Sequence, residues 1–160
     1  MRAIESTVEI ERPAAEVFAF VSDQLNAPRW QQGLESVKRL TPGPIRVGSE
    51  HEFVRQFGGR TVRDRNRFVE YVPGEYVRFT MGNGSISGEA SYRVIPTGPA
   101  RCRVEATLRF DKLGWMRPLA PILRRILVRD THRDDLTLKR LLEGGQGATS
   151  GRDEPSGSSR

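Results

Sequence analysis

The sequence predicts an α+β domain: a curved antiparallel sheet of about seven strands around one long C-terminal helix, with two short helices after the first strand. Three observations predict it. From Leu34 to Asp111 the chain is a series of short runs separated by turns rich in glycine, proline and asparagine, which describes an antiparallel meander rather than βαβ units. The apolar period then lengthens: Leu119, Ile122, Leu123, Ile126 and Leu127 recur at spacings of three and four, the period of a helix. Finally, one face of such a sheet must be covered, and the long helix is the available cover.

The elements follow in order. Residues 3–11 alternate, with Ile4, Val8 and Ile10 on one parity and Glu5, Thr7, Glu9 and Glu11 on the other, as a half-buried strand requires. Pro13 opens a short helix whose apolar stripe is Val17, Phe18 and Val21, since a proline's missing N–H is harmless in a first turn. Asp23 and Asn26 end it, and Pro28–Gln32 forms a further turn carrying Trp30. Six runs come next: Leu34–Leu40, Ser49–Phe57, Arg60–Val72, Glu75–Met81, Ser85–Ile95 and Arg101–Asp111. Gly58-Gly59, Pro73-Gly74 and Gly82-Asn83-Gly84 are the strongest turn signals between them. The last helix runs from about Trp115 or Pro118 to Glu143, with Leu138, Leu141 and Leu142 extending its stripe. At about 1.5 Å per residue it is on the order of 35–40 Å long. The domain is thus expected over residues 1–143, and the Gly- and Ser-rich stretch 144–160 is expected to be disordered.

Composition excludes some function classes. A length of 160 residues suits one domain. The one cysteine, Cys102, permits no internal disulfide and reads as a small buried hydrophobe. Arg2, Glu5, Glu9 and Glu11 interrupt any apolar leader segment. No window approaches the roughly 18 apolar residues of a membrane span, so the expected location is the cytoplasm. The net charge is +6, and only Lys38, Lys112 and Lys139 of the 26 basic residues are lysines. That arginine skew points to a GC-rich bacterial genome. The arginines are dispersed and lack aromatic interleaving, so no nucleic acid partner is expected.

The segments VEIERPAAEVFAFVSD (Val8–Asp23), NAPRWQQGLESVKRL (Asn26–Leu40), GPIRVGSEHEFV (Gly43–Val54), FVEYVPGEYVRFT (Phe68–Thr80) and SGEASYRVIPTGPARCRVEATLRF (Ser87–Phe110), with the helix Leu119–Glu143, resemble the START/polyketide-cyclase superfamily (SRPBCC, birch-pollen-allergen-like), in its polyketide cyclase/dehydrase-like subgroup. The resemblance spans nearly the whole ordered chain. It implies the helix-grip fold, an internal hydrophobic cavity, a polyketide-like or lipid ligand, and cofactor-independent chemistry if any reaction is catalysed. A monomer or homodimer is expected.

No GxSxG, Walker, HExxH or paired CxxC motif is present. His51 and His132 are the only histidines, so no metal site is expected. Strand parity is the better guide. It turns Phe53, Phe68, Phe79, Met81, Leu108 and Phe110 toward the helix, where Leu119 and Leu123 face them, with Trp30 at the mouth as gate or ligand contact. The same parity turns His51, Arg55, Asp64 and Asn66 inward. Two readings stand. These groups pair with one another near the sheet ends, an Arg55–Asp64 salt bridge first among them, because isolated buried charge is costly. Alternatively they line a partly wet cavity with Asn66 as a ligand contact, where Arg55 and Tyr92 steady a developing enolate and Asp64 or His51 moves a proton. Tyr92 otherwise reads as core. Arg63, Arg65 and Arg67 point outward, and His132 lies on a solvated helix face.

Overall fold

The computed structural model describes residues 1–145. The fold is the helix-grip arrangement. Strand β1 (Ile4–Ile10) leads into helix α1 (Ala14–Ser22) and a short 3-10 turn (Gln24–Arg29). Strands β2 (Leu34–Arg39), β3 (Glu50–Phe57), β4 (Arg60–Val72), β5 (Tyr76–Gly82), β6 (Ser87–Gly98) and β7 (Arg101–Lys112) follow. A second 3-10 turn (Gly114–Leu119) precedes helix α2 (Ala120–Gly144). The seven strands form one antiparallel sheet in the order β1-β7-β6-β5-β4-β3-β2. The meander accounts for every neighbour except β1–β7, where the N-terminal strand joins the far edge.

The final helix starts later than the periodicity suggests. Pro118 lies within the 3-10 turn and Pro121 at the start of α2. Prolines lack the N–H that an α-helical interior needs, so the chain before Ala120 winds as 3-10. The helix ends one residue beyond the expected stop, at Gly144. The disorder expected of the tail concerns residues that, from 146 on, lie outside the described ones.

Inner-face parity holds along most strands. The buried members are Ile4, Val8 and Ile10 on β1, His51 and Phe53 on β3, Val77 and Phe79 on β5, and Cys102 and Val104 on β7. Strand β4 contains a bulge between Phe68 and Glu70. A bulge inserts one residue and reverses the alternation beyond it. Asp64, Asn66 and Phe68 lie before it and keep the expected face. Beyond it Tyr71, not Glu70, turns inward and packs on Phe18 and Phe68.

The core is dense at one end of the concave face. Ile10, Val17, Phe18, Val21, Phe68, Val77, Val94, Cys102 and Leu138 pack there. On the convex face two arginines of β4 are paired: Arg63 meets Glu52 at 3.2 Å and Arg65 meets Glu50 at 3.8 Å. Arg78 bridges Glu70 and Glu89. Arg67 makes no ion pair among the described residues, so this solvated face is largely but not wholly ion-paired.

Candidate functional site: a cavity with a polar corner

A cavity of about 930 Å³ occupies the other end of the concave face. Its floor is β3 to β7, contributing Phe53, Phe79, Met81, Ala90, Leu108 and Phe110. Its roof is the 3-10 turn before α2, with Met116, and the first half of α2, with Leu123 and Leu127. The volume falls within the roughly 300–1,000 Å³ of small-molecule sites, which are apolar with a few converging polar groups.

A row of rings separates this space from the dense core. His51 lies 5.7 Å from Phe68, Phe68 5.7 Å from Phe79, Phe79 6.0 Å from Tyr92, and Tyr92 5.7 Å from Trp30, measured between centroids. Phe79, Tyr92 and Trp30 line the cavity, whereas His51 and Phe68 stand behind them.

Among the polar groups of the wall, Asp64, Tyr92 and Asp134 all lie in electrostatic reach of Arg55. Arg55 Nε is 3.6 Å from Asp64 Oδ2, and the guanidinium sits over the Phe53 ring at 5.2 Å. The pair is diagonal across β3 and β4, since Phe53 is the register partner of Asp64. Burial raises the Asp64 pKa, and the Arg55 charge partly offsets this. Tyr92 Oη accepts a hydrogen bond from Gln31 Nε2 at 3.1 Å, which leaves its own O–H to donate to a guest. Burial also pushes the phenol well above its usual value, so Tyr92 is a neutral donor across the physiological range.

Asp134 of α2 completes this group. Its Oδ1 accepts from the Gln32 backbone N–H at 2.7 Å. Burial raises its pKa to about 7, opposed by the Gln32 hydrogen bond and reinforced by the nearby charges of Asp130 and Asp135. Arg55 is in electrostatic reach of both Asp134 and Tyr92. Consecutive residues Gln31 and Gln32 therefore tie both Tyr92 and Asp134 to the turn that carries Trp30.

Parity along the strands brings Arg55, Asp64, Tyr92, Trp30, Phe53, Phe79, Met81, Leu108, Phe110 and Leu123 to the cavity wall. Four expected residues are not on it. His51 and Asn66 are fully buried register partners behind the ring row, and neither makes a side-chain hydrogen bond among the described residues. Burial, followed by the charge of Arg39, holds the His51 pKa below its ordinary value, so it stays neutral. Phe68 is core. Leu119 turns outward because it ends the 3-10 turn rather than continuing the stripe of α2. Asp134 was not singled out by sequence reasoning. A signal existed: the stripe from Leu123 through Leu127 to Leu138 passes through Thr131, Asp134 and Asp135, a polar interruption in an apolar face.

Residues 1–143 match the sequence profile of the family described as polyketide cyclase / dehydrase and lipid transport. The chain belongs to that family. No curated protein matches the sequence. Among solved structures, the family's fold recurs in the Zhui aromatase/cyclase of Streptomyces sp. R1128, at 16% identity and a TM-score of 0.74 over 94% of this chain and 99% of that one. The di-domain ARO/CYC BexL from the BE-7585A biosynthetic pathway aligns at 18% identity and a TM-score of 0.71. This chain is covered to 89% in that alignment and spans about half of the di-domain protein, 47%. A START superfamily protein of Mycobacterium smegmatis aligns at 17% identity and a TM-score of 0.66, over 92% and 99% of the two chains. At these identities the likeness is one of fold.

Proposed function

We propose that the cavity binds a hydrophobic small molecule carrying carbonyl groups and promotes its cofactor-independent cyclisation or dehydration. One observation carries the reading: the cavity wall carries three carboxyls of raised pKa, Asp64, Asp134 and Asp135, together with a guanidinium and a neutral phenol in electrostatic reach of them. Carboxyls whose pKa is raised toward neutrality suit proton transfer near neutral pH.

The chemistry balances without an external reagent. A carboxylate, Asp64 or Asp134, takes a proton from the carbon between two carbonyls. Arg55 and the Tyr92 O–H stabilise the enolate oxygen. The carbanion carbon attacks a second carbonyl of the same chain, forming a C–C bond, and that oxygen takes a proton from the carboxylic acid. Loss of a further α-proton and of hydroxide then releases one water. Apolar walls fold the flexible chain and hold the reacting carbons close. Asp134 takes the proton-moving role that sequence reasoning assigned to His51.

The test uses the purified full chain and a linear poly-β-ketone thioester, with products followed by mass spectrometry. The expected result is a product lighter by one water, formed more slowly by Tyr92→Phe and by Asp64→Asn. No conversion above the uncatalysed rate overturns the enzymatic reading.

A second reading is a carrier. It is favoured by the Arg55–Asp64 pairing, in which each charge already has a partner. Binding of the same thioester without conversion, or a ligand co-purifying in native mass spectrometry, supports the carrier.

A further inference from the structure

The rim of the cavity carries an exposed apolar cluster. Trp115, Leu119 and Ile122 are 67%, 47% and 58% exposed. Tryptophan is usually well buried on average, and Trp115 follows a glycine whose place only a residue without a Cβ could take. Gly114 has φ +52°, and a Cβ there would lie 2.7 Å from the Ser85 carbonyl oxygen. That close approach seats the 3-10 turn on the β5–β6 turn. Met116 is buried there, while Trp115 at the edge of the cavity is left exposed.

The charges around the cluster are unbalanced. Arg117 and Arg125, beside these exposed apolar side chains, make no ion pair among the described residues, whereas Arg63, Arg65, Arg78, Arg101 and Arg103 of the sheet are paired and Lys38, Arg60 and Arg67 are not. Ile122, Arg125 and Arg129 follow at steps of three and four, so they share one face of α2, and Leu119 precedes them at the end of the 3-10 turn. Arg129 meets only its neighbour Asp130, at 3.5 Å. Leu123 and Leu127 on the adjoining face line the cavity.

We propose that this rim docks on an anionic phospholipid bilayer, with Trp115, Leu119 and Ile122 entering the headgroup–acyl boundary and Arg117 and Arg125 contacting lipid phosphates. Apolar side chains flanked by unpaired arginines match such a surface in both chemistry and sign. A second copy of the chain is a poor occupant, because the same arginines would face each other. RNA is also poorly matched, since Leu119 and Ile122 offer no stacking plane. Exposed Trp115 and its buried neighbour Met116 both line the cavity, so an apolar guest would pass between bilayer and cavity without crossing bulk water. The docking does not depend on what chemistry the cavity performs.

The test is co-sedimentation of the full chain with vesicles of phosphatidylglycerol and phosphatidylcholine in equal parts, and with vesicles of phosphatidylcholine alone. Trp30 is buried, so a blue shift of tryptophan emission on vesicle addition reports Trp115. Binding is expected to anionic vesicles only, and to weaken as salt rises. Trp115→Ala with Ile122→Ser, and separately Arg117→Glu with Arg125→Glu, are expected to weaken it at least tenfold. Lys38→Glu with Arg67→Glu makes the same charge change on the convex face and is expected to retain it. Circular dichroism establishes that each variant is folded. The proposal is overturned if the wild-type chain fails to sediment with anionic vesicles. It is equally overturned if the convex-face variant loses binding as completely as the rim variants, or if the rim variants bind normally.

Discussion

The two ends of the concave face are built from the same strands on the same parity, yet one is packed and the other hollow. At the packed end, α1 and the last turns of α2 press Val17, Phe18 and Leu138 onto Phe68, Val77 and Cys102. At the hollow end, the first half of α2 and its preceding turn stand over Leu108 and Phe110 across open space. Inward direction is therefore a property of the strand, whereas core or cavity wall is decided by what stands opposite. A residue's value to stability should differ sharply between the ends even where residue type and parity agree.

The largest expected effect tests that directly. Phe68→Ala should cost about 3–5 kcal/mol, the usual cost of deleting a buried ring. Phe110→Ala, removing the same ring from the half-exposed cavity wall, should cost less than about 1 kcal/mol, because its neighbours are already open space. Urea denaturation of both variants measures the contrast, and equal losses would erase it.

Filling the hollow end should do the reverse. Leu123→Trp places a larger side chain in the cavity roof. It is expected to leave the urea midpoint nearly unchanged while weakening binding of anilinonaphthalene sulfonate at least tenfold, which is about 1.4 kcal/mol. Fluorescence titration checks it.

The ends also titrate in opposite senses. Asp134 has a folded pKa of about 7, raised above its ordinary value of 3.8. The folded state thus holds the extra proton between these values, and stability from this group falls as pH rises from about 4 to 7. Asp134→Asn keeps an acceptor for the Gln32 N–H and removes the cost. The variant should match wild type near pH 4 and exceed it at pH 8. Part of the cost is screened at this partly exposed site, leaving a gain on the order of 1 kcal/mol. Thermal melts across pH read it out.

The smallest effect belongs to His51 at the packed end. Its folded pKa lies below 6.5, so the unfolded chain binds the proton first and stability falls as pH drops below that value. His51→Phe should flatten this acid limb and leave anilinonaphthalene sulfonate binding untouched. A loss of binding would return His51 to the cavity.

Much of this was legible in the sequence. Alternation identified the inward sets on β3, β5 and β7, and the glycine pairs marked the hairpins. Parity also brought Arg55, Asp64 and Tyr92 to one face. Depth along a strand was not legible. His51 and Arg55 are four residues apart on the same face, but only the position of the helices makes one core and the other cavity wall. The bulge after Phe68 has no local sequence mark, so the inward turn of Tyr71 was unreadable. Asp134 was missed because acidic residues among arginines resemble a solvated helix face until the stripe running through them is counted.

The row of rings from His51 to Trp30 has a consequence for the size of guest the protein admits. It is a fixed end-stop, so a linear apolar chain can grow only toward the mouth. Across a homologous series, affinity should rise by about 0.8 kcal/mol for each added methylene that stays inside. The gain should then cease abruptly once the chain reaches Trp115. The cavity would act as a ruler, with its zero mark at Phe79 and Tyr92.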